Sequence, residues 1–270
     1  ALRAELQGAD TLDLDVRVVQ RLLAAEEAAE ERLSFRRLER PTPDAGRPSA
    51  STLEEVLERH SFLRYDPVAR QLRALPGDWN VEGDLVLPSR TPLLLGPRTR
   101  LAFARGAVLL ADAALVFAGT EQEPVVLEAQ RGAGSWDGVA VLRAEARSRW
   151  EHVIVRDTLA AARGGWTLTG GVTFYRSPVT LTRCRFEGTR AEDALNIVGA
   201  DMLLDQVVLR DCSSDAFDGD FVTGEVRACT FSDGGGDGLD VSGSDLVVRD
   251  CSFERLLDKA CSVGERSRVR

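Results

Sequence analysis

Three aspartates and one lysine near the end of the chain have the types and spacing for acid–base chemistry. Asp218 and Asp220 belong to one short segment, Asp240 lies at the position equivalent to Asp218 in the next copy of a repeat, and Lys259 is the single lysine among 34 basic residues. Carboxylates held close together repel, so one of them becomes protonated or a cation is recruited. Asp218 and Asp240 could therefore act as a catalytic acid and base, with Lys259 adjusting the balance between them.

The same carboxylates could instead bind a metal ion. Asp218, Asp220 and Asp240, together with the amide of Asn196, offer the hard oxygen ligands that Ca²⁺ prefers. In a lyase or epimerase, Ca²⁺ would neutralise a uronate carboxylate while Lys259 or a nearby arginine takes the neighbouring proton. A third interpretation, a solvated acidic face without chemistry, also stays open.

These residues lie within a repeat that extends from residue 192 to residue 265. Its copies read EDALNIVGA, SDAFDGDFV, GDGLDVSGS and DKACSVGE, and the leading aspartates of the four copies follow one another at nearly constant steps: Asp193, Asp215, Asp237 and Asp258. A fixed period of this length is typical of a solenoid. The leading aspartates are expected at bends, where an aspartate commonly hydrogen-bonds the backbone two residues on.

Stacking the repeats predicts rows of outward side chains with about 4.8 Å between neighbouring coils. The predicted inward residues are Leu195, Phe217, Leu239 and Ala260. The predicted outward rows are Ala194, Ala216, Gly238 and Lys259; then Asn196, Asp218, Asp240 and Cys261; then Val198, Asp220, Ser242 and Val263. The second and third rows would bring the candidate carboxylates together.

Negative charge is concentrated in the repeat. Residues 191–265 hold 17 acidic and 5 basic residues, which leaves a small positive balance elsewhere in a chain of net charge −9. Such a surface repels phosphate backbones, so nucleic acid is not an expected partner, whereas a divalent cation is compatible with it. No apolar run is long enough to span a membrane.

Residues 1–78 do not follow the repeat and are expected to form a small α+β cap. The pattern predicts a strand over 12–18, a helix over 20–32 and a second helix over 51–59, opened by a capping box of Ser51 and Glu54. Two further strands are expected on either side of the turn at Asp66 and Pro67.

From residue 79 onward, short β runs are separated by Gly, Pro and Asp, and no helical pattern interrupts them. Phrases such as LLLGPRTRLAF, FAGTEQEPVVLEA and SWDGVAVL resemble successive coils of right-handed parallel β-helix proteins, the architecture of the pectate-lyase-like superfamily. GGVTFYRSPV and the repeat resemble a bacterial subset of these proteins. The resemblance implies an all-β fold over 79–270, a right-handed parallel β-helix in the form of a single-stranded solenoid.

For function, the resemblance implies a carbohydrate-directed domain that binds a polysaccharide or processes it as a lyase, hydrolase or epimerase. The sequence lacks the R-x-x-R-x-P pattern of pectate lyases and the NTD, GHG and RIK patterns of polygalacturonases. The alternative is therefore a non-catalytic structural or protein-interaction solenoid, with or without stabilising Ca²⁺. Two uses are possible for the tryptophans Trp136, Trp150 and Trp166. They could form a platform for sugar rings, or they could pack in the core, which is the commoner use of large aromatic residues in a solenoid.

The two ends of the chain raise separate expectations. The chain begins at Ala1 without Met. An exported or cell-surface location is favoured over a cytoplasmic one, and the compartment stays open. At the other end, the repeat stops at SVGERSRVR without a predicted covering element, although solenoids cover their last open strand edge. We expect either a truncated chain or another protein chain over that edge.

Overall fold

The computed structural model describes residues 14–20, 29–35, 51–163 and 165–270, and the chain divides into two compact units, residues 1–45 and 46–270. In the first unit, β1 (Leu14–Gln20) pairs antiparallel with β2 (Ala29–Phe35). The predicted helix over 20–32 is wrong where it can be compared, because backbone pairing with β1 overrides the helix propensity of this Ala- and Glu-rich segment. Residues 12–13 and 21–28 lie outside the described residues.

The second unit begins with the helix α1 (Leu53–Arg59). Its capping box is formed by Thr52 and Glu55 rather than by the predicted pair one residue earlier: the Glu55 N–H donates to Thr52 Oγ1 at 3.2 Å, and the Thr52 N–H donates to Glu55 Oε2 at 2.8 Å. Val56 is the buried residue of this helix. The described part of the chain contains no helix with the length and apolar character needed to cross a bilayer.

The predicted pair of strands around Asp66 is confirmed. β3 (Leu63–Asp66) and β4 (Gln71–Ala74) pair antiparallel. Asp66 Oδ1 accepts the N–H groups of Val68 and Ala69, each at 3.0 Å, which closes the turn. β4 then pairs parallel with the first strand that follows it in the same sheet, so the hairpin starts the solenoid.

Three parallel sheets form the faces of the solenoid, and each coil contributes one strand to each sheet. The first sheet contains, in spatial order, β3, β4, β7 (Leu93–Leu95), β10 (Leu115–Ala118), β13 (Ser148–Glu151), β18 (Val179–Thr182), β21 (Asp201–Asp205), β24 (Thr223–Arg227), β27 (Asp245–Arg249) and β30 (Arg268–Val269). The second contains β5 (Gly77–Val81), β8 (Thr99–Phe103), β11 (Val125–Ala129), β14 (Val153–Arg156), β19 (Arg185–Glu187), β22 (Val208–Cys212), β25 (Thr230–Gly234) and β28 (Ser252–Leu256). The third contains β6 (Leu85–Val86), β9 (Leu109–Ala111), β12 (Val139–Leu142), β17 (Gly170–Tyr175), β20 (Asp193–Val198), β23 (Asp215–Asp220), β26 (Leu239–Ser242) and β29 (Cys261–Val263). The all-β parallel β-helix expected from the period is confirmed.

Inward side chains from the three sheets form one continuous hydrophobic core. Trp136 and Trp150 are part of it, with 0% and 1% exposure, and their rings stack on Phe103 and Phe117 at centroid distances of 4.1 and 4.8 Å. These two tryptophans are therefore core packing and not a sugar platform. Burying such large rings on neighbouring coils ties consecutive coils together.

An excursion leaves the solenoid between β14 and β17. It contains the short antiparallel pair β15 (Ala162–Arg163) and β16 (Trp166–Thr167), and it covers outward apolar residues at the beginning of the third sheet: Val86, Val108, Leu110 and Ala140. Arg163 anchors it through hydrogen bonds to Asp84 at 2.7 and 3.1 Å and to Asp137 at 2.6 Å. The Asp84 carboxylate, with the Asp137 carboxylate, raises the pKa of Arg163 above its ordinary value.

The last coil ends in β28, β29 and β30, each of which has a neighbour on one side only among the described residues. Residues 264–270 do not fold over this end; they add β30 to the first sheet, paired with β27. The expected chain over this edge stays a prediction, as does the sequence-based boundary near residue 78.

Candidate functional site

The outer face of the third sheet carries the predicted carboxylates in one row. The parallel register places Asn196 opposite Asp218, Asp218 opposite Asp240, and Asp240 opposite Ser262. We call these four residues the central row. Asn196 donates a hydrogen bond to Asp218 at 2.8 Å. The structure thus brings three of the predicted residues together, whereas the predicted fourth member, Cys261, lies opposite Leu239.

The position of Lys259 differs from the prediction by one residue. The strand register advances by the same step in every copy, so Lys259, and not Asp258, occupies the leading position of the fourth copy. The resulting lead row consists of Asp193, Asp215, Asp237 and Lys259. Because the side-chain period of a strand is two, this one-residue difference moves every residue of the last copy to the opposite face.

Hydrogen bonds along the lead row fix this register. The Asp237 N–H donates to Asp215 Oδ1 at 2.7 Å, and the Lys259 N–H donates to Asp237 Oδ1 at 2.7 Å. Lys259 Nζ lies 2.7 Å from Asp258 Oδ2 and 3.5 Å from Asp237 Oδ1. The ammonium group of Lys259 therefore pairs with Asp237 and Asp258, and it forms an ion pair with neither Asp218 nor Asp240.

Asp220 belongs to a second outward row on the same sheet. The register aligns Tyr175, Val198, Asp220 and Ser242, which we call the outer row. Val263, expected as its last member, instead lies opposite Val241 because of the same one-residue difference. Asp220 thus stands two residues from Asp218 on the same face, and its charge raises the pKa of Asp218.

A third row at the adjoining corner adds residues that the sequence did not indicate. It consists of Arg143, which follows Leu142 opposite Tyr175, and of the four residues that follow the outer row: Arg176, Gly199, Phe221 and Gly243. All five have a positive φ, between 48° and 64°. Three of them are not glycine, and a non-glycine residue in this region is uncommon and points to a constrained position. The left-handed corner turns these side chains out of the solenoid.

Phe221 is the most exposed aromatic ring on this corner. Its exposure is 67%, and it lies over Gly243, where an added Cβ would stand 2.5 Å from the ring. The absence of a side chain at Gly243 therefore lets one face of the ring rest on the backbone while the other faces solvent. In the sequence, Phe221 directly follows Asp220 in the segment FDGDF. Only the corner geometry shows that its ring is exposed.

The other two faces of the solenoid carry ladders of paired charges. On the second sheet, Arg156 contacts Glu128 and Glu187 at 3.5 and 3.2 Å, and Arg210 contacts Glu187 at 3.0 Å. On the first sheet, Arg227 contacts Asp205 at 2.9 Å. The carboxylates of these ladders are held in ion pairs and are not candidates for the site.

The third sheet is different. In the described part of the chain, five of its carboxylates have no Arg or Lys partner: Asp193, Asp215, Asp218, Asp220 and Asp240. Their repulsion is visible in the pKa values. Burial, with the charges of Asp193, Asp220 and Asp240, raises the pKa of Asp218 to about 7. Burial also raises the pKa of Asp193 to about 6.

This arrangement suits proton transfer. A carboxyl group with a pKa near neutrality can donate and accept a proton at working pH. Asp218 and Asp240 stand on neighbouring coils, about 4.8 Å apart along the sheet, close to the carboxyl separation of retaining glycosidases. The acid–base pair of Asp218 and Asp240 stays a prediction that this spacing permits, and Lys259 as placed pairs with Asp237 and Asp258 instead.

Metal binding has less geometric support. Among the described residues, no group of three or more His, Cys, Asp or Glu side chains is placed to hold a metal ion. Asn196 also directs its amide N–H groups at Asp218 and Asp193, at 2.8 and 3.3 Å, so the amide nitrogen faces these carboxylates. As placed, the four predicted ligands do not enclose a cation, and calcium binding stays a prediction.

Comparisons with protein-family models, with curated proteins and with solved structures gave no match for this chain. The fold is therefore assigned from the strand register, and function has to be argued from the site itself.

Proposed function

We propose that this β-helix is a carbohydrate-directed domain that binds or processes a polysaccharide on the outer face of its third sheet. The observation that carries the proposal is the row of carboxylates without an Arg or Lys partner among the described residues, beside the exposed ring of Phe221 on the third sheet. Carboxylates accept hydrogen bonds from sugar hydroxyls, and an aromatic ring supplies an apolar surface with a fixed orientation.

The flat, elongated form of the site favours a polymer over a small molecule. The central and outer rows extend over several coils, and Asp218 and Asp240 lie in a strand-to-strand register that repeats along the solenoid axis. Small-molecule ligands are mostly enclosed in concave pockets. An extended chain of sugars can instead follow the rows, with the reacting bond beside Asp218 and Asp240.

Binding can be tested by affinity electrophoresis of the wild-type chain in gels containing dextran, xylan or polygalacturonate, followed by calorimetry with the polymer that retains it. We expect Phe221→Ala and Asp240→Ala each to weaken binding about tenfold, the effect of losing one good contact. Matched controls are Val68→Ala and Asp78→Asn, which alter exposed residues away from the third sheet. If the two site variants bind as the wild type does, the site is wrong.

The catalytic version of the proposal has its own readout. Incubation with the retained polymer should release reducing ends if Asp218 and Asp240 act as a hydrolytic pair. Unsaturated products that absorb in the ultraviolet would indicate a lyase. Asp218→Asn and Asp240→Asn should each abolish whichever product is formed. If the polymer binds and no product appears, the domain binds carbohydrate without processing it.

A second candidate is a non-catalytic structural or interaction solenoid, stabilised by Ca²⁺ or without a ligand. The observation that favours it is the lead row, where Asp215 and Asp237 accept backbone N–H groups of the next coil and so act structurally. Thermal unfolding with calcium, with EDTA and with polygalacturonate separates the two. Stabilisation of the wild type by calcium, lost in Asp240→Ala and without any polymer effect, would favour this candidate.

A further inference from the structure

We infer that Arg143, Tyr175 and Arg176 form an anion-binding subsite beside the acidic rows, for a carboxylate or sulfate group on the polysaccharide. The inference rests on the proposed function and specifies its ligand. It predicts an acidic polysaccharide, oriented so that one acidic group lies at this subsite and the uncharged part of the chain lies along the central row.

Two guanidinium groups converge on one aromatic ring at this subsite. The Cζ atom of Arg176 lies 5.5 Å from the centroid of the Tyr175 ring, and the Cζ atom of Arg143 lies 6.0 Å from it. Both arginines are exposed and Tyr175 is half-buried. The ring attracts each cation through its negative face, so it holds both guanidinium groups beside the same side chain.

Neither arginine has a carboxylate partner in the described part of the chain. Arg156 and Arg227 on the other two faces are paired, and what distinguishes Arg143 and Arg176 from other unpaired arginines is that both lie at the same Tyr175 ring. The planar guanidinium presents donors that match a carboxylate or sulfate oxygen pair. Two such groups without a partner, held on the same corner, are a binding site for an anion from outside the chain.

The backbone beneath the subsite is tightly held. The Arg143 N–H donates to the Tyr175 carbonyl and the Arg176 N–H donates to the Val198 carbonyl, both at 2.7 Å. The buried Ser177 Oγ donates to the Tyr175 carbonyl at 2.9 Å and accepts the Ala144 N–H at 2.9 Å. These hydrogen bonds fix the backbone positions of Arg143 and Arg176. Less conformational entropy is therefore lost when the two side chains bind an anion.

The subsite lies on the same corner row as Phe221. Gly199 separates Arg176 from Phe221, so the two side chains start two coils apart, about 10 Å along the axis. The Arg176 side chain lies over Gly199, where an added Cβ would stand 3.6 Å from its Cγ. A polymer following this corner would meet the cationic subsite first, then the Phe221 ring, with Asp218 and Asp240 to one side.

The acidic rows make the subsite selective. Asp218, Asp220 and Asp240 repel an acidic group, and the chain as a whole carries a net charge of −9. Retention of a polyanion is therefore not expected from overall charge and requires a local cationic site. Along the corner, this contrast orients the ligand, because its acidic groups are accepted at the arginines and rejected at the carboxylates.

The test is calorimetry and affinity electrophoresis of the full chain with three probes: dextran, dextran sulfate and polygalacturonate. The variants are the double substitution Arg143→Gln/Arg176→Gln and the matched double substitution Arg105→Gln/Arg131→Gln, which removes the same charge from exposed arginines elsewhere. We expect the first to weaken binding of the preferred polyanion about tenfold or more and the second to change it less than about twofold.

A pair of Tyr175 variants checks the role of the ring. Tyr175→Phe keeps the ring and should bind nearly as the wild type does, whereas Tyr175→Leu releases the arginines and should bind several-fold more weakly. Preference for dextran sulfate or for polygalacturonate identifies the anion as sulfate or carboxylate. Either preference supports the subsite only if the Arg143→Gln/Arg176→Gln variant also binds that polymer more weakly.

Failure of the subsite and failure of the proposed function give different results. If polymers are retained but dextran binds as well as the polyanions, or if the two double variants behave alike, the anion subsite is overturned and the carbohydrate site stands. If none of the three probes is retained by the wild type, both are overturned.

Discussion

The melting temperature of the wild-type chain should fall by about 4 °C between pH 5 and pH 8, and Asp218→Asn should remove most of that fall. The cause is the burial of the Asp218 carboxyl, to which the crowding of carboxylates on the third sheet adds. Burial, with the charges of Asp193, Asp220 and Asp240, raises the pKa of Asp218 from 3.8 to about 7. The folded state therefore holds a proton at pH 5 that the unfolded state has already released.

The sign follows from linkage. Between the unfolded and folded pKa values of Asp218 the native state binds more protons, so stability decreases as pH rises through this window and levels off above about pH 7. The full difference between the two pKa values corresponds to ~4 kcal/mol. Because the carboxyl is partly exposed and screened, we expect about half of this over the whole window, ~2 kcal/mol, of which a little over ~1 kcal/mol falls between pH 5 and pH 8. Asp193, whose pKa burial raises to about 6, acts in the same direction.

The comparison with Asp218→Asn isolates the effect. The variant keeps an oxygen that can accept the Asn196 N–H, removes the charge, and should be more stable than the wild type at pH 8 but nearly equal at pH 5. Burial lowers the pKa of His60, which gives the opposite slope around pH 6, but this contribution is the same in both proteins and cancels. Parallel stability curves for the two proteins, or an equal change in the control Asp78→Asn, would contradict the prediction.

The substitution Gly138→Ala should destabilise the solenoid by at least ~3 kcal/mol, since it combines backbone strain with a close contact in the core. Gly138 has φ +69°, and a Cβ there would overlap the Gly171 carbonyl oxygen and stand 3.2 Å from that of Leu159. Gly171 lies in β17, the strand at which the excursion with β15 and β16 joins the third sheet. Relief of the overlap would require β12 and β17 to separate.

Gly106→Ala is the matched control for Gly138. Gly106 has a similar φ of +75°, but a Cβ there would have no neighbour within 4 Å. Gly106→Ala should therefore lower the free energy of unfolding only by the cost of the backbone conformation, about 1 kcal/mol. Urea unfolding of both variants measures the difference, and equal losses would mean that the close approach at Gly171 does not limit the fold.

The sequence determined the solenoid because its cause is local and repeated. A constant repeat length with apolar residues at alternate positions specifies coils that can bury their inward side chains only by stacking, and each copy indicates the same arrangement. The alignment of Asn196, Asp218 and Asp240 follows from this period. The hairpin at Asp66 follows from turn chemistry within a few residues.

The remaining features depend on contacts between coils, which the sequence does not display. Lys259 lies on the lead row, and not beside Ala194 and Ala216, because hydrogen bonds from each coil to the next select the register, while the sequence alone allowed Asp258 to lead the last copy. Trp136 and Trp150 belong to the core because their rings stack on Phe103 and Phe117.

The same distinction applies to the candidate site. The sequence alone determined that carboxylates would be concentrated on one face of a β-helix. Only the tertiary structure decided that Asp218, Asp220 and Asp240 stand without an Arg or Lys partner among the described residues, and that Phe221, Tyr175 and the two arginines adjoin them. The physical reason is that a left-handed corner residue turns its side chain out of the strand alternation, so neither the repeat period nor the alternation of the strands predicts its direction.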